Sequence, residues 1–410
     1  MYGNPMKRRD FIKYSTLAPL AAALPRAGLT IPEQSTQPER TSVDTVTLFL
    51  AGDVMTGRGI DQILPHPGDP RIFEPYSRSA LDYVRLAERA NGPIPRPVDF
   101  AYIWGDALAV LDEVAPDVRI INLETAVTRR GNPWPRKGIQ YRMHPDNIPC
   151  LGAAAIDCCV LANNHVLDWG YAGLEETLSG LSGSELTTVG AGRNRTAAQS
   201  PAVITLPGGG RVLVFAWGLP SSGIPAAWAA TTGKAGVNLL PDLSQRAIRE
   251  VADSVEANRQ AGDVVVISLH WGGNWGYPIP EEHRRFAHAL IDAGAVDLVH
   301  GHSSHHPLGI EVYRGRPVIY GCGDLIDDYE GISGHEEFRI DLALLYLVAL
   351  ERGSGELRHL EMIPMQRRKF RLNRAVREDG DWLEEVLDRE SRQLGARVEP
   401  AENNALRLHR

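Results

Sequence analysis

From Val46 onward the chain alternates strand-length apolar runs with helical patterns, and this alternation constrains the fold more than any other feature. The apolar runs cover residues 46–51, 118–122, 158–162, 211–217, 264–269, 296–300 and 318–321. The helical patterns cover residues 80–89, 104–114, 173–181, 243–260 and 281–293. Such alternation is typical of a mixed α/β sandwich. Because 43% of its 410 residues are apolar, the chain can bury one large core or two modest ones.

Both ends of the chain differ from this central part. The run KRRDF at residues 7–11 precedes a short apolar stretch, which is typical of a twin-arginine (Tat) signal peptide over residues 1–28. This predicts export to the periplasm or another extracytoplasmic compartment; the alternative is a disordered basic tail. A polar segment over 29–43 suits a linker, and the main domain is predicted over 44–366. Residues 367–410 are highly charged, and we expect a surface helix with a frayed end.

The composition excludes some classes of partner. The chain carries 51 acidic and 43 basic side chains, a formal net charge of -8. Proteins that bind nucleic-acid backbones usually present a basic face, so we expect no nucleic-acid partner and favour a polymer or a small molecule. Four cysteines in a chain of this length do not make a disulfide framework, and we interpret them as core residues.

Five predicted strands end in side chains that can bind metals. The strand-end residues are Asp53, Glu124, Asn164, His270, and the pair His302 and His305. In an α/β sheet, ligands bind in the crevice beyond the carboxyl ends of the strands, so these side chains can converge. Carboxylate, amide and imidazole donors suit Zn²⁺, Mn²⁺ or Fe, and the thiolates of a structural zinc site are missing from the set. Because such ions acidify bound water, the predicted chemistry is hydrolysis.

The motifs around these residues resemble those of a known family. GDVMTGR at 52–58, NLE at 122–124, NNHVLDWG at 163–170, HWG at 270–272 and GHSSH at 301–305 are similar to the ordered motifs of the CapA type of bacterial capsule-synthesis, or poly-gamma-glutamate biosynthesis, proteins. The resemblance runs from about residue 46 to 328 and ends in a segment that closes on GCGD at 321–324. That family is similar to calcineurin-like metallophosphatases, which implies a four-layer α/β sandwich with two central mixed sheets flanked by helices.

The resemblance also implies a role for each motif residue. The implied ligands of one or two divalent ions are Asp53, Glu124 at the place of a bridging aspartate, Asn164, His270, His302 and His305. His165 takes the place of the general acid, and Asp168 that of its orienting partner. The phosphatase pattern has a histidine two residues after the first aspartate, where this chain has Met55. We therefore expect an impaired or single-metal centre.

Each residue also has an interpretation without chemistry. Asp53 and Asn164 can be turn residues, and Glu124 can be a carboxylate at a helix start. His165 can be a satisfied core histidine, and His270 is open to the same interpretation. Of the remaining histidines in the His-rich run, we interpret His300 and His306 as structural or supporting residues rather than ligands.

Three basic residues are candidate contacts for an anionic substrate. Arg58 lies close to Asp53 in sequence and can bind an anionic group, although a surface ion pair explains it equally well. Lys137 and Arg142 flank an extended segment before the Asn-His strand, where they can contact a polyanion. The aromatic residues Trp271, Trp275 and Tyr277 can wall the cleft or stack on a sugar, or can belong to the core.

These features together predict an exported, metal-dependent hydrolase-like protein of the CapA type. Its expected substrate is a phosphoester, on a phosphorylated small molecule or on an anionic polymer such as poly-gamma-glutamate or capsular glycan. One alternative is a non-catalytic accessory that holds the growing polymer beside a membrane-bound synthase, and Met55 favours it. Another is a hydrolase of the γ-glutamyl amide bond.

Overall fold

The computed structural model describes residues 44–410. The predicted signal peptide (1–28) and linker (29–43) therefore lie outside the described residues. Among these residues, no helix combines the length and the apolar character needed to cross a membrane. The four cysteines are all buried and free, as expected for core residues.

The strands of the described residues include every apolar run that the sequence singled out, with small shifts at the ends. They are β1 (Thr45–Val54), β2 (Val118–Leu123), β3 (Ala126–Val127), β4 (Arg142–Met143), β5 (Cys158–Val160), β6 (Thr187–Val189), β7 (Ala191–Gly192), β8 (Ala202–Thr205), β9 (Arg211–Gly218), β10 (Gly236–Val237), β11 (Val264–His270), β12 (Leu298–His302), β13 (Ile310–Tyr313), β14 (Arg316–Ile319), β15 (Asp324–Ile326), β16 (Leu342–Glu351), β17 (Leu357–Arg368), β18 (Arg371–Arg374), β19 (Arg397–Pro400) and β20 (Leu406–His409).

Each predicted helix also has a counterpart in the structure. The α-helices are α1 (Arg58–Asp61), α2 (Leu81–Asn91), α3 (Ala107–Val114), α4 (Pro149–Ala153), α5 (Gly170–Ser182), α6 (Arg195–Gln199), α7 (Gln245–Glu256), α8 (Glu281–Asp292) and α9 (Arg377–Arg392). Helix α7 shows how local sequence sets the bounds. Its N-cap residue Ser244 accepts a hydrogen bond from the backbone N–H of Ala247, which satisfies one of the free donors of the first turn.

The strands form two large mixed sheets. The ten-stranded sheet has the order β19-β20-β17-β16-β1-β2-β5-β6, with β15 beside β1 and β18 beside β17. Strand β1 runs parallel to β2 and β15 and antiparallel to β16. The six-stranded sheet has the order β13-β14-β12-β11-β9-β8, and its four central strands are parallel. Two further pairs, β10 with β7 and β3 with β4, lie outside both sheets.

The two faces of the smaller sheet pack into different cores. On β9, Val212 and Val214 belong to the core that also contains β1, whereas Leu213 and Phe215 pack with α7 and α8. Successive strand residues point to opposite faces, so one strand serves both cores. Burial of each large apolar side chain contributes about 1.5–3 kcal/mol. The resulting order of helices, sheet, sheet and helices is the four-layer sandwich that the resemblance implies.

The sequence-based prediction for residues 367–410 is wrong in part. The predicted helix exists as α9, but the segment is no appendage, because β18, β19 and β20 extend the ten-stranded sheet. Leu383 and Leu387 of α9 are buried at a spacing of one helical turn, and Leu406 and Leu408 of β20 alternate as strand residues do. The high charge of the segment as a whole conceals these few periodic apolar positions.

Candidate metal centre

The carboxyl ends of strands from both sheets meet at one place. In the smaller sheet, His270 at the end of β11 lies directly opposite His302 at the end of β12. In the larger sheet, Asp53 near the end of β1 lies opposite Asp324 at the start of β15. The two sheets are joined here by His300, whose Nε2 lies 2.9 Å from the carbonyl oxygen of Ala51. His300 therefore joins the two sheets beside the ligand residues, which agrees with its interpretation from the sequence as a structural or supporting residue.

A first group of candidate ligands consists of Asp53, His270 and His302. The two imidazole Nδ1 atoms lie 2.7 Å apart, and they are 3.9 Å and 3.8 Å from Oδ1 of Asp53. All three side chains are at most 1% exposed. Burial lowers the pKa of His270 and of His302 well below the usual value, so both rings are neutral near pH 7. The neutral ring is the form that binds metals.

A second group shares Asp53 and adds His305 and Asp324. One ligand atom from each of these three residues lies within 4.8 Å of the others, as in the first group. Nδ1 of His305 is 3.0 Å from both carboxylate oxygens of Asp324. Burial opposes the charged ring, but Asp324, with Asp53, more than offsets it and raises the pKa of His305. Asp324 has no role in the sequence interpretation, although it ends the GCGD segment.

Asp53 links the two groups and is the most constrained of these residues. Its Oδ1 accepts a hydrogen bond of 2.7 Å from Nδ2 of Asn122, while its Oδ2 is buried without a hydrogen-bond partner. Burial, together with the charge of Asp324, raises the pKa of Asp53 to about 8. A buried carboxylate oxygen without a partner is costly. This orphaned oxygen and the mixed nitrogen and oxygen donors around it fit a divalent cation.

Glu124 and Asn164 lie on the other side of His270. Nε2 of His270 is 3.2 Å from Oδ1 of Asn164 and 3.7 Å from Oε1 of Glu124. Burial, followed by the charges of Asp53 and Asp324, raises the pKa of Glu124 well above its usual range. The structure thus brings all the predicted ligands together, and the carboxylate common to both groups is Asp53.

His165 and Asp168 form a buried pair beside this cluster. Nδ1 of His165 lies 2.6 Å from Oδ2 of Asp168, and its Nε2 lies 3.9 Å from Oε1 of Glu124. The His165 ring stacks on Tyr141 with centroids 3.8 Å apart, and the backbone N–H of Tyr141 donates to Asp168. Burial lowers the pKa of His165 to about 4, against the opposing charge of Asp168. The pair holds the ring with Nε2 towards the carboxylate side of the site.

Lys137 contacts this pair directly. Its Nζ is 2.9 Å from Oδ1 of Asp168 and 3.2 Å from Nδ1 of His165. Arg142 lies elsewhere: its guanidinium lies over the ring of Trp169 and donates to the carbonyl of Asp69. The structure therefore brings one of these two predicted substrate contacts to the site and gives the other no contact with it.

The structure places Arg58 in a buried ion pair that also lines the cavity beside the site, and its role in substrate binding stays a prediction. The side chain is buried at 3% exposure and its guanidinium is held between Asp328 and Glu74. The ring of Tyr83 lies under it, 3.5 Å from the guanidinium carbon. The alternative of an ion pair holds, but the pair is buried rather than on the surface. The partner Asp328 is 270 residues away in the chain, so the sequence pattern did not indicate it.

An aromatic cavity opens beside the second ligand group. Its volume is about 320 Å³, and its lining includes Tyr83, Tyr141, Trp275, Tyr329 and His305. Trp275 thus walls the cleft, as one of its two sequence interpretations holds. Trp271, by contrast, is only 3% exposed and donates a hydrogen bond to the carbonyl of Tyr320, so it belongs to the core.

Sequence reasoning also missed the residues that hold the ligands in place. Oγ of Ser268 lies 2.8 Å from Nε2 of His302 and 3.1 Å from Nδ1 of His300. Nδ2 of Asn163 donates to Oδ1 of Asn122, which in turn holds Asp53. Such partners fix the ring or amide orientation of a ligand. Asn122 and Asn163 lie inside motifs that the sequence singled out, so their position was the available signal.

Two packed mixed sheets with histidine, asparagine and carboxylate side chains at converging strand ends define a metallophosphatase-like α/β sandwich. Within that class, the chain belongs to the family described as bacterial capsule synthesis protein PGA_cap, whose sequence model matches residues 47–329. The resemblance seen in the motifs is thereby confirmed.

Relatives of known name support the same assignment. The chain is 51% identical over 366 residues to a probable polyglutamine synthesis accessory protein of Mycobacterium tuberculosis, covering 89% of this chain and 96% of that protein. It is 27% identical over 288 residues to the PGA biosynthesis protein CapA of Bacillus subtilis, 70% of this chain and 64% of that protein. The capsule biosynthesis protein CapA of Bacillus anthracis is 24% identical over 285 residues, 70% of this chain and 60% of that protein.

Proposed function

We propose that this protein acts in the synthesis of an anionic envelope polymer, of the capsule or polyglutamate kind, as a metal-dependent phosphoester hydrolase. The place in polymer synthesis is supported by the relative at 51% identity, whose name is probable polyglutamine synthesis accessory protein. The observation that carries the hydrolase is the convergence of Asp53, His270 and His302 at buried strand ends beside the His165–Asp168 pair.

The ligand residues hold the cation, and the His165–Asp168 pair positions the proton that is transferred. When bound by Asp53, His270 and His302, with Asn164 and Glu124 beside them, a Zn²⁺, Mn²⁺ or Fe ion acidifies a water molecule and polarises a phosphoryl oxygen. Asp168 accepts the hydrogen bond of the His165 Nδ1–H and so fixes the tautomer of the ring.

Nε2 of His165 is then the atom that exchanges a proton with the substrate. Burial keeps this ring neutral in the free protein, since its pKa is lowered to about 4. A bound phosphate dianion near Nε2 favours the protonated ring, because opposite charges at short range raise the pKa of a base. His165 can therefore donate to a leaving oxygen once an anionic substrate is in place.

The experiment measures hydrolysis of a phosphomonoester and a phosphodiester of p-nitrophenol by the purified full chain with added Mn²⁺. The expected result is turnover that falls by a factor of about 10²–10⁴ in His165→Gln, because general acid–base catalysis typically contributes that much. His359→Gln is the matched control, since that ring lies on β17 at the surface and pairs with Glu361. Absence of turnover in the unaltered protein, or equal turnover in His165→Gln, contradicts the hydrolase.

A non-catalytic accessory role is the second candidate, and Met55 together with the name of the closely similar relative favours it. The basic side chains nearest the cleft, Lys137 and Arg58, are already paired with carboxylates. Binding of a polyanion there consequently depends on bound cations. Calorimetric titration with poly-gamma-glutamate, with and without a chelator, distinguishes the roles: chelator-sensitive binding without any turnover supports the accessory.

We also propose that the twin-arginine segment directs export, so that the protein works outside the cytoplasm. The support is the order of basic and apolar residues in 1–28. Cell fractionation of the Arg8→Lys, Arg9→Lys double variant tests this: the unaltered protein should leave the cytoplasm and the variant should stay in it. Equal distribution of the two contradicts export by this route.

A further inference from the structure

The chain lacks a histidine two residues after Asp53, and the structure shows what lies there instead. Met55 is buried at 2% exposure, and its backbone N–H donates to the carbonyl of Ile326 on β15. A thioether is a soft donor, unlike the oxygen donors that suit Mn²⁺. The pairing with Ile326, however, holds β15 alongside β1, and the register of the pair sets Asp324 opposite Asp53. The strand next to the missing ligand thus supplies a carboxylate.

Asp324 and His305 form a donor pair with the separations that an ion requires. Nδ1 of His305 lies 3.0 Å from both oxygens of Asp324, and one atom from each of Asp53, His305 and Asp324 lies within 4.8 Å of the others. Ligands held at 2.0–2.2 Å in a tetrahedral site are about 3.4 Å apart, so the His305–Asp324 pair must open slightly while the wider separations, which are below 4.8 Å, close. All three side chains are buried at 8% exposure or less.

The orphaned oxygen of Asp53 is an independent sign of a missing cation. Asn122 occupies Oδ1, and Oδ2 is buried without a hydrogen-bond partner. Asp53, Glu124 and Asp324 place three carboxylates in one buried cluster, and no lysine or arginine of the described residues lies within ion-pair distance of any of the three. Buried carboxylates are normally paired or bound to metal. A single divalent ion in the first group leaves Asp324 with His305 as its one ion-pair partner among the described residues.

We propose that Asp53, His305 and Asp324 form a second divalent-cation position, so that the chain holds two ions with Asp53 as their common carboxylate despite Met55. This inference deepens the proposed function, since it concerns the same site, but it makes a claim about binding alone. It also reverses the expectation of a single-metal centre that Met55 suggests. The ions that suit carboxylate and imidazole donors are Mn²⁺, Zn²⁺ and Fe.

The test counts ions in the full chain after chelation, reloading with Mn²⁺ and removal of excess metal. Elemental analysis of the unaltered protein should give two Mn per chain, and electron paramagnetic resonance should show the spectrum of two coupled ions, because a shared carboxylate holds them close. Asp324→Asn should lose half of the metal and show the hyperfine pattern of an isolated ion. Asp53→Asn should lose essentially all of it.

Asp327→Asn is the matched control. Asp327 is a buried carboxylate three residues further along, but it pairs with Arg367 and belongs to neither ligand group, so this variant should keep two coupled ions. Where Asp324→Asn fails to fold by circular dichroism, His305→Gln takes its place with the same expectation. One Mn per chain in the unaltered protein, or two coupled ions in Asp324→Asn and His305→Gln, overturns the proposal.

The outcome is separate from that of the hydrolase. Two coupled ions without phosphoester turnover leave the second cation position standing and remove the proposed catalysis. If turnover occurs with one ion per chain and Asp324→Asn leaves the metal content unchanged, the proposed catalysis stands and the second cation position is removed. A chain in which His305 and Asp324 form only an ion pair gives that second pattern of metal content.

Discussion

Two buried clusters of charged side chains lie close together in this protein and are built in opposite ways. In one, Arg58 sits between Asp328 and Glu74, with Nε 2.9 Å from Asp328 and Nη1 2.9 Å from Glu74. The backbone N–H of Gly59 donates to Asp328 at 2.7 Å, and the hydroxyl of Tyr83 donates to Glu74. The charged groups of this Arg58 cluster have partners within the chain.

The other cluster contains Asp53, Glu124 and Asp324. Burial raises the pKa of Asp53 to about 8 and that of Glu124 well above its usual range, and in each case neighbouring carboxylates raise it further. The neighbours His270 and His302 are neutral, because burial lowers their pKa values. Among the described residues no lysine or arginine pairs with these carboxylates, and the one partner that they hold in a charged state is His305, 3.0 Å from Asp324.

The contrast separates a structural cluster from a functional one. A buried cluster in which both carboxylates pair with a guanidinium of the chain can hold elements of the fold together by itself. A buried carboxylate cluster without a lysine or arginine partner, and with an orphaned oxygen, is stable only when its carboxylates take up protons or when a cation comes from outside. The predictions below test this difference, beginning with the largest effect.

Removing the guanidinium at the centre of the Arg58 cluster should have the largest effect on stability. Arg58→Met leaves Asp328 and Glu74 buried without a counter-charge, so we expect the free energy of unfolding to fall by about 3–5 kcal/mol. Urea denaturation of the full chain measures it. Arg71→Met is the control, because the Arg71 side chain is 78% exposed and solvent screens its ion pair with Asp69, so the loss of stability should be far smaller. Equal losses in both variants would falsify the structural role of this cluster.

Removing a carboxylate from the cluster of Asp53, Glu124 and Asp324 should act on metal binding instead. Saturating Mn²⁺ should stabilise the unaltered protein by about 2.7 kcal/mol per site at a hundredfold excess over Kd. Asp53→Asn should abolish this stabilisation, measured as the shift in Tm on adding Mn²⁺ to metal-free protein. The metal-free variant should be at least as stable as the metal-free original, because one of three neighbouring carboxylates is gone. A metal-free variant that loses as much stability as Arg58→Met contradicts the contrast.

The fold was largely predictable from the sequence because its central strands are apolar on both faces. Val46, Leu48, Phe49 and Leu50 of β1 are all fully buried, and such runs stand out in any window. The strands that were missed include the charged ones near the C-terminus, but also the apolar strand β16, which is not among the runs singled out from the sequence. In β20 only Leu406 and Leu408 face the core, and Arg407 between them conceals the pattern.

The ligand residues that lie at the ends of long apolar strands were predictable from the sequence. Asp53 and His270 follow runs of apolar residues, so the strand-end rule located them. Asp324 begins the three-residue strand β15 and is separated from the end of the apolar run at 318–321 by Cys322 and Gly323, so the strand-end rule passed over it. The pairing of Arg58 with Asp328 was not predictable at all, because it depends on β15 packing beside β1 at a separation of 270 residues.

A third kind of buried group, a histidine without any charged partner, completes the comparison. His283 is 4% exposed and stacks on Trp271 with centroids 4.3 Å apart, and no carboxylate of the described residues lies within ion-pair distance of it. Burial alone lowers the pKa of His283 to about 4, whereas carboxylates raise the pKa of His305.

This difference predicts a small acid-sensitive term in stability. Between about pH 6.5 and 4 the folded His283 ring stays neutral while the unfolded ring binds a proton, so the unfolded state holds more protons and the free energy of unfolding falls as pH falls. The loss should be about 1–3 kcal/mol over the whole window. His283→Leu should remove that part of the slope in urea denaturation of chelated protein. His300 and His306, whose pKa values burial also lowers to about 4, should keep a residual slope in the variant. An unchanged slope in His283→Leu means that burial does not lower the pKa of His283. The contrast with His305, whose pKa is raised by carboxylates, is then contradicted.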